Sequence, residues 1–367
     1  MEKIENINHI IFIDENIPYL QEALNQCGTV IKYKGRNLTN TDLILGNCSV
    51  LFVRSTVKVN EALLTETNIK FVGTATSGYD NIDINYLKEH NIDFAYAPGS
   101  NANSVAEYVV FSMLKWANIN NTSLKDKIIG IIGFGNIGKI VAKYASNFNM
   151  KVLINDPPLK KTGNVFPAEY EYTEIADIFS NSDIVTNHVP LTNAGEFPTE
   201  NLISRKLLSL LKNHTLFIHV SRGGVVDEET LTSKLHKKML FVSIDVWENE
   251  PLFNVNLAKS SILATPHIAG YSREGKLRGS FMMANAINLN KGKRPSFDII
   301  NNKLSTYVPL DIGYYSDENY IFNLLQNTRK LDDDSEAFLE LCNLPLEKRS
   351  LAFDKLRKNY PVRREIL

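Results

Sequence analysis

Short apolar runs and amphipathic stretches alternate along the first 270 or so residues of the chain. Residues 10–13, 49–53, 69–73 and 91–95 read as strands, and residues 19–26 carry the 3.6-residue spacing of a helix. The loop Ala97-Pro-Gly-Ser-Asn-Ala-Asn-Ser104 closes this first βα series, because its Pro, Gly, Asn and Ser content favours turns. Residues 105–116 then have helical spacing and are placed to cross between two domains. Residues 126–133 open a second βα series that runs to about residue 270. From roughly residue 298 the pattern changes, with a β-like stretch at 306–309 and charged helical text from 318 to 364. The pattern predicts two α/β halves with parallel sheets, followed by a separate tail.

At 367 residues the chain exceeds what one ordinary hydrophobic core supports, so two or three domains are expected. Lys plus Arg (40) nearly cancels Asp plus Glu (41). No global field is therefore available for nucleic acid or an anionic membrane, and any phosphate site must be local. The longest run free of Asp, Glu, Lys and Arg is 13 residues, short of the roughly 20 apolar residues of a membrane helix. The start, Met1-Glu-Lys-Ile-Glu-Asn6, lacks the basic-then-apolar order of a secretory signal, and Cys27, Cys48 and Cys342 form no close-spaced pair. A soluble chain of the reducing cytoplasm is expected, with buried free thiols, no metal site, and neither nucleic acid nor membrane as a partner.

Gly133-Phe-Gly135-Asn136-Ile137-Gly138 is a G-x-G-x-x-G, a weak signal by itself. Its context strengthens it. The turn follows the apolar residues 128–132 and opens an amphipathic stretch from Lys139 to Phe148, and the next strand, 151–155, ends in Asp156, 18 residues after the last glycine. Glycines permit a tight turn and close backbone approach, the helix start offers unpaired N–H groups to a pyrophosphate, and the acid suits a ribose diol. The combination predicts a site for NAD. Asp156 favours NAD over NADP, because a 2′-phosphate would meet a carboxylate.

Arg222, Glu250 and His267 each stand just past an apolar run that reads as a strand, at 215–220, 240–247 and 261–265. In open parallel sheets ligands bind outside the carboxyl ends of strands. Oxidation of a 2-hydroxy acid needs a base for the hydroxyl proton and a cation for the carboxylate or developing carbonyl. His267 and Arg222 suit these tasks, and Glu250 suits the task of orienting the imidazole. Taken singly, each has a plainer structural explanation; taken together, downstream of a dinucleotide turn, they favour catalysis.

Ser221-Arg-Gly-Gly-Val-Val-Asp227, Asp245-Val-Trp-Glu-Asn-Glu-Pro251 and Thr265-Pro-His-Ile-Ala-Gly270, with the glycine turn, resemble the signatures of the D-isomer-specific 2-hydroxyacid dehydrogenases. The resemblance implies that Arg222 binds substrate, that Glu250 partners the histidine, and that His267 is the general acid–base. It also implies an α/β fold of two Rossmann-like or flavodoxin-like domains with parallel sheets and an interdomain cleft.

Four further segments sharpen it: Asp14-Glu-Asn-Ile-Pro-Tyr19, Val53-Arg-Ser-Thr-Val-Lys-Val-Asn60, Val72-Gly-Thr-Ala-Thr-Ser-Gly78 and Ile268-Ala-Gly-Tyr-Ser-Arg-Glu-Gly-Lys276. The tail, Phe353-Asp-Lys-Leu-Arg-Lys-Asn-Tyr360 with Arg363-Arg-Glu365, resembles a C-terminal α+β dimerisation module. Together they resemble a member of the family that oxidises a phosphorylated four-carbon 2-hydroxy acid with NAD and works as a homodimer. The implied division is residues 1–103 and about 272–290 for substrate, 104–271 for NAD, and 291–367 for dimerisation. By position, Ser55, Thr76 and Tyr271 contact substrate, while Asp156, Val189, Val220, Ser221, Arg222, Asp245 and Gly270 join Gly133, Gly135, Asn136, Ile137 and Gly138 around the cofactor.

Arg54 and Lys58 flank Ser55 and are candidates to hold the phosphate. The tail cations Lys355, Arg357, Lys358, Arg363 and Arg364 form either a solvated helix face or a cluster reaching a neighbouring active site. Domain closure is expected to hinge at residues 99–104 and after Gly270. The competing functions are a dehydrogenase of the phosphoglycerate or glycerate type and a nonenzymatic NAD-sensing binding protein.

Overall fold

The apolar runs become parallel strands because their side chains are needed on both faces of a helix-covered sheet. In the computed structural model, which describes residues 9–238, 240–287, 294–313 and 317–367, the first sheet holds β1 (His9–Asp14), β2 (Gly28–Tyr33), β3 (Val50–Val53), β4 (Phe71–Thr74) and β5 (Asp93–Tyr96). Their order is β2-β1-β3-β4-β5, all parallel, which is the flavodoxin-like order. The two-residue alternation is explicit. Ile11, Ile13, Val50 and Phe52 face one core with Leu277 and Met283, while Phe12, Leu51, Val53 and Val72 face the other. β2 escapes the sequence pattern because it is an edge strand in which Val30 and Ile31 stand between Thr29 and Lys32 and only Tyr33 is buried.

The second sheet comprises β6 (Ile128–Ile132), β7 (Lys151–Asn155), β8 (Glu171–Tyr172), β9 (Ile184–Asn187), β10 (Leu216–His219), β11 (Phe241–Ile244) and β12 (Leu263–Ala264). It runs β12-β11-β10-β9-β6-β7-β8. Counted from β6 this is 3-2-1-4-5-6 with one strand added, the dinucleotide-binding order, and the order reverses between β6 and β9. Ile129 and Ile131 pack into one core with Val152, Ile154 and Ile218. Leu153, Val185, Phe217 and Val242 pack into the other.

Contacts group the chain into two units, residues 1–101 with 272–308 and residues 102–271 with 309–367. The Ala102–Ile119 helix belongs to the second unit, where nearly every residue of it is buried. The tail after residue 309 groups with this same unit. The β-like expectation for residues 306–309 is not met, since this segment leaves the Asp298–Leu304 helix as a turn and pairs with no strand. Helices follow at Glu318–Arg329, Leu331–Leu339 and Leu346–Lys358, so the described part of the tail is helical rather than α+β. Its patterned apolar positions fill the core of the second unit: Ile321, Leu325 and Leu331 on one side of the sheet, Phe338, Leu341 and Phe353 on the other. The expected domain boundary at 290/291 and the opening residues 1–6 lie outside the described residues.

No described helix is long and apolar enough to cross a membrane. Cys27, Cys48 and Cys342 are buried and free.

Candidate active site

The strand order brings the carboxyl ends of β6 and β9 together, and there the glycine turn shows what each glycine does. A Cβ on Gly138 would lie 2.1 Å from the Gly133 carbonyl oxygen, and one on Gly133, at φ +90°, would press against His188 and Val189 at 3.1 Å. Those two glycines let the backbone fold this closely. Gly135 differs, because a Cβ there meets nothing within 4 Å. Together with Asn136 it is exposed, at the start of the Asn136–Asn147 helix, leaving room for a pyrophosphate against free helix N–H groups. Asp156 follows β7 and accepts the Phe134 amide at 2.8 Å and the Leu159 amide at 3.0 Å. One carboxylate thus ties the glycine turn to the neighbouring strand end, where a ribose would sit. These residues fit NAD.

Two strands further along, β10 is followed by Val220, Ser221 and Arg222. Val220 and Ser221 are buried, and Arg222 is half-buried with Nη1 donating to the Ser221 carbonyl at 2.8 Å. Asp245 follows β11 and is 1 % exposed. It accepts the Thr265 hydroxyl at 2.6 Å and the amides of Ile268 and Ala269 at 2.7 and 2.9 Å. Burial nevertheless raises its carboxyl to about 6, against the opposing pull of His267 and these donors. By holding two amides just after His267, Asp245 fixes a loop in which His267 takes the left-handed φ of +58°. Ser104 secures the same loop from the other side, donating to the Ala269 carbonyl at 2.7 Å.

The His267 ring faces Glu250. Its Nδ1 lies 2.8 Å from one carboxylate oxygen and 3.0 Å from the other, so Nδ1 carries the proton and donates, leaving Nε2 to exchange protons. Glu250 also accepts the Trp247 amide at 3.1 Å. Burial opposes its charge, but His267 first and Arg357 next hold its carboxyl below the ordinary range. Buried His219, on the neighbouring strand, is pushed down to about 3 by desolvation and is neutral. Asn187 Nδ2 donates to its Nδ1 at 3.1 Å.

The sequence-derived substrate residues of the first unit also stand at strand ends. Arg54 and Ser55 follow β3, and Thr76 follows β4. Asn81 Nδ2 pins the turn between them by donating to the carbonyls of Arg54 at 3.3 Å and Val57 at 2.6 Å. The Thr76 hydroxyl donates to Gly78 at 2.8 Å. Ser55 and Lys58 are exposed, while Arg54 and Thr76 are half-buried. The Arg273–Ala286 helix packs on the β4 end so tightly that a Cβ on Gly279 would stand 2.8 Å from the Ala75 carbonyl. One turn earlier it carries Lys276, whose pKa is lowered first by burial and then by the charge of Arg54. Lys276 was not singled out from sequence, although it ends one of the family-like segments. In the second unit, Gly270 is half-buried, as is Tyr271, which has Tyr360 packed edge-on at 5.6 Å and Arg357 at 6.0 Å from its ring.

Residues 105–269 match the family described as D-isomer specific 2-hydroxyacid dehydrogenase, NAD binding domain. Among solved structures, NAD-bound 3-phosphoglycerate dehydrogenase of Entamoeba histolytica is 26 % identical, with TM-score 0.63 over 76 % of this chain and 94 % of that one. D-lactate dehydrogenase of Aquifex aeolicus, complexed with NAD and lactic acid, is also 26 % identical, with TM-score 0.61 over 74 % and 92 %. Similarity over the whole length is found with erythronate-4-phosphate dehydrogenase of Wigglesworthia glossinidia brevipalpis, 38 % identical over 97 % of this chain and 92 % of the relative. The enzyme of the same name from Shewanella sp. (strain W3-18-1) is 37 % identical over the same shares. With an NAD-type sheet order, a glycine turn and a His–Glu pair at its strand ends, the chain belongs to the erythronate-4-phosphate dehydrogenase family of the NAD-dependent D-isomer-specific 2-hydroxyacid dehydrogenases.

Proposed function

We propose that this chain oxidises 4-phospho-D-erythronate to (R)-3-hydroxy-2-oxo-4-phosphooxybutanoate, a step in the formation of pyridoxal 5′-phosphate. The observation that carries the chemistry is the pairing of His267 with Glu250 at 2.8 Å; the full-length similarity to enzymes of that name supports the substrate.

NAD, held by Gly133 to Gly138, Asp156 and the strand-end residues Val189, Val220, Ser221, Asp245 and Gly270, supplies the hydride acceptor. His267 Nε2 takes the C2 hydroxyl proton, and the resulting imidazolium keeps its Nδ1–H on anionic Glu250. Arg222 holds the carboxylate end of the substrate. Ser55, Thr76 and Tyr271 contact the rest of it, and Arg54, Lys58 and Lys276 hold the phosphate. The coupling of Arg54 to half-buried Lys276 supports this last assignment, since two neighbouring cations suit a doubly charged group.

We read residues 291–367 as a dimerisation module and the enzyme as a cytoplasmic homodimer. Family-like tail residues and three buried thiols support this, and light scattering of the purified chain tests the dimer.

The purified chain with NAD is expected to form NADH from 4-phospho-D-erythronate, and far less from D-3-phosphoglycerate or unphosphorylated D-erythronate. Equal rates on all three would remove the substrate assignment. His267→Gln is expected to lower kcat by roughly 10²- to 10⁴-fold, the usual contribution of a general base.

A further inference from the structure

The tail reaches the acid–base pair of its own chain. Phe353 and Arg357 are four residues apart on the Leu346–Lys358 helix and therefore share a face. Phe353 enters an aromatic cluster with Phe253 at 6.3 Å and Phe338 at 5.9 Å. Phe338 in turn meets Phe253 at 4.5 Å and Trp247 at 5.3 Å. Trp247 and Phe253 bracket Glu250, so the tail helices grip both ends of the segment that carries the catalytic carboxylate. One turn beyond Phe353, the Arg357 guanidinium is directed at that carboxylate. Its Nη1 stands 3.8 Å from the Glu250 oxygen that receives His267. The Arg357 side chain is 21 % exposed and its Nε is buried. Its charged group also lies 6.0 Å from the Tyr271 ring and engages the Tyr271 hydroxyl.

We propose that Arg357 is a positioning residue of the reaction, which holds the Glu250 carboxylate on His267 and the Tyr271 side chain in place, so that the tail completes the active site of its own subunit. The physical reason is that a half-buried carboxylate with only one cationic partner is free to turn away from the imidazole or to accept a proton. A second cation near the oxygen that meets His267 fixes both its orientation and its charge. Arg357 acts through Glu250 and Tyr271, and it takes no part in proton or hydride transfer.

This inference rests on the dehydrogenase reading, and the test separates the two. With 4-phospho-D-erythronate and NAD, Arg357→Gln is expected to lower kcat at least tenfold, with the KM for NAD, the thermal midpoint and the subunit stoichiometry near those of the unaltered protein. Arg357→Lys is expected to restore most of the kcat, because it returns the cation. The inference is overturned if Arg357→Gln keeps the parental kcat. It is equally overturned if activity falls only together with the thermal midpoint or the dimer and lysine restores none of it. Failure of the unaltered chain to form NADH would instead overturn the dehydrogenase reading.

Discussion

Gly223 lies against Trp247 with no space for a side chain, since a Cβ on the glycine would be 2.0 Å from the tryptophan carbonyl oxygen. This approach joins the loop that carries Arg222 to the loop that carries Glu250. Gly223→Ala must push the two apart, and overpacking of this kind costs about 1–3 kcal/mol. Gly135→Ala makes the contrast, because its methyl enters open space. Gly223→Ala is expected to lower both the thermal midpoint and kcat. Gly135→Ala is expected to keep the midpoint and weaken NADH binding. Melting curves and NADH fluorescence titration read out the two.

The cation pair in the first unit gives a test of substrate selectivity. Lys276→Gln is expected to raise the KM for 4-phospho-D-erythronate roughly tenfold or more, as loss of a charge-assisted bond to phosphate would. Residual turnover of unphosphorylated D-erythronate should hardly change. An equal effect on both substrates would assign Lys276 a structural task only.

Glu228 supplies a pH-dependent contribution to stability. Its side chain accepts the Glu248 amide at 2.7 Å, yet burial, reinforced by Glu248 and Glu250, raises its carboxyl from 4.5 to about 7. Between these values the folded state binds more protons than the unfolded one, so stability falls as pH rises through this window. The stabilisation is fully present below 4.5 and lost above about 7. Asp245, raised to about 6, acts in the same direction. Glu228→Gln stays neutral throughout and is expected to gain on the parent by up to about 3 kcal/mol between pH 5 and 8. Chemical denaturation at the two pH values measures it; a constant difference would mean that Glu228 is ionised throughout.

A buried ion pair anchors the tail. Arg329 and Glu107 contact each other with neither side chain exposed. Glu107 also receives the Ile366 and Leu367 amides, and Arg329 donates to the Ser104 hydroxyl at 3.0 Å. Glu107→Gln leaves a guanidinium buried without its counter-ion, which costs about 3–5 kcal/mol. The double variant Glu107→Gln with Arg329→Met is expected to recover part of this loss in urea denaturation. Since Ser104 holds the His267 loop through Ala269, the single variant is also expected to lose activity.

The order of strands and helices was legible because buried parallel strands are apolar runs and the helices between them are amphipathic. The glycine turn with Asp156 was legible for the same local reason, as each step of that motif is set by close neighbours in sequence. The sequence by itself also placed Arg222, Glu250 and His267 just past strands, because parallel strands put their following residues at one edge of the sheet; the pairing of His267 with Glu250 came from the fold. Tertiary structure decided what no local pattern encodes. β2 is an edge strand on which only Tyr33 is buried, its hydroxyl donating to the Phe52 carbonyl at 2.8 Å, and residues 306–309 have β-like side chains but no neighbouring strand to accept them. Lys276 gains meaning only when its helix packs on Ala75, and Arg357 only when Phe353 docks on Phe253. Those partners are separated from them by long stretches of chain, so the contacts exist only once the chain has folded.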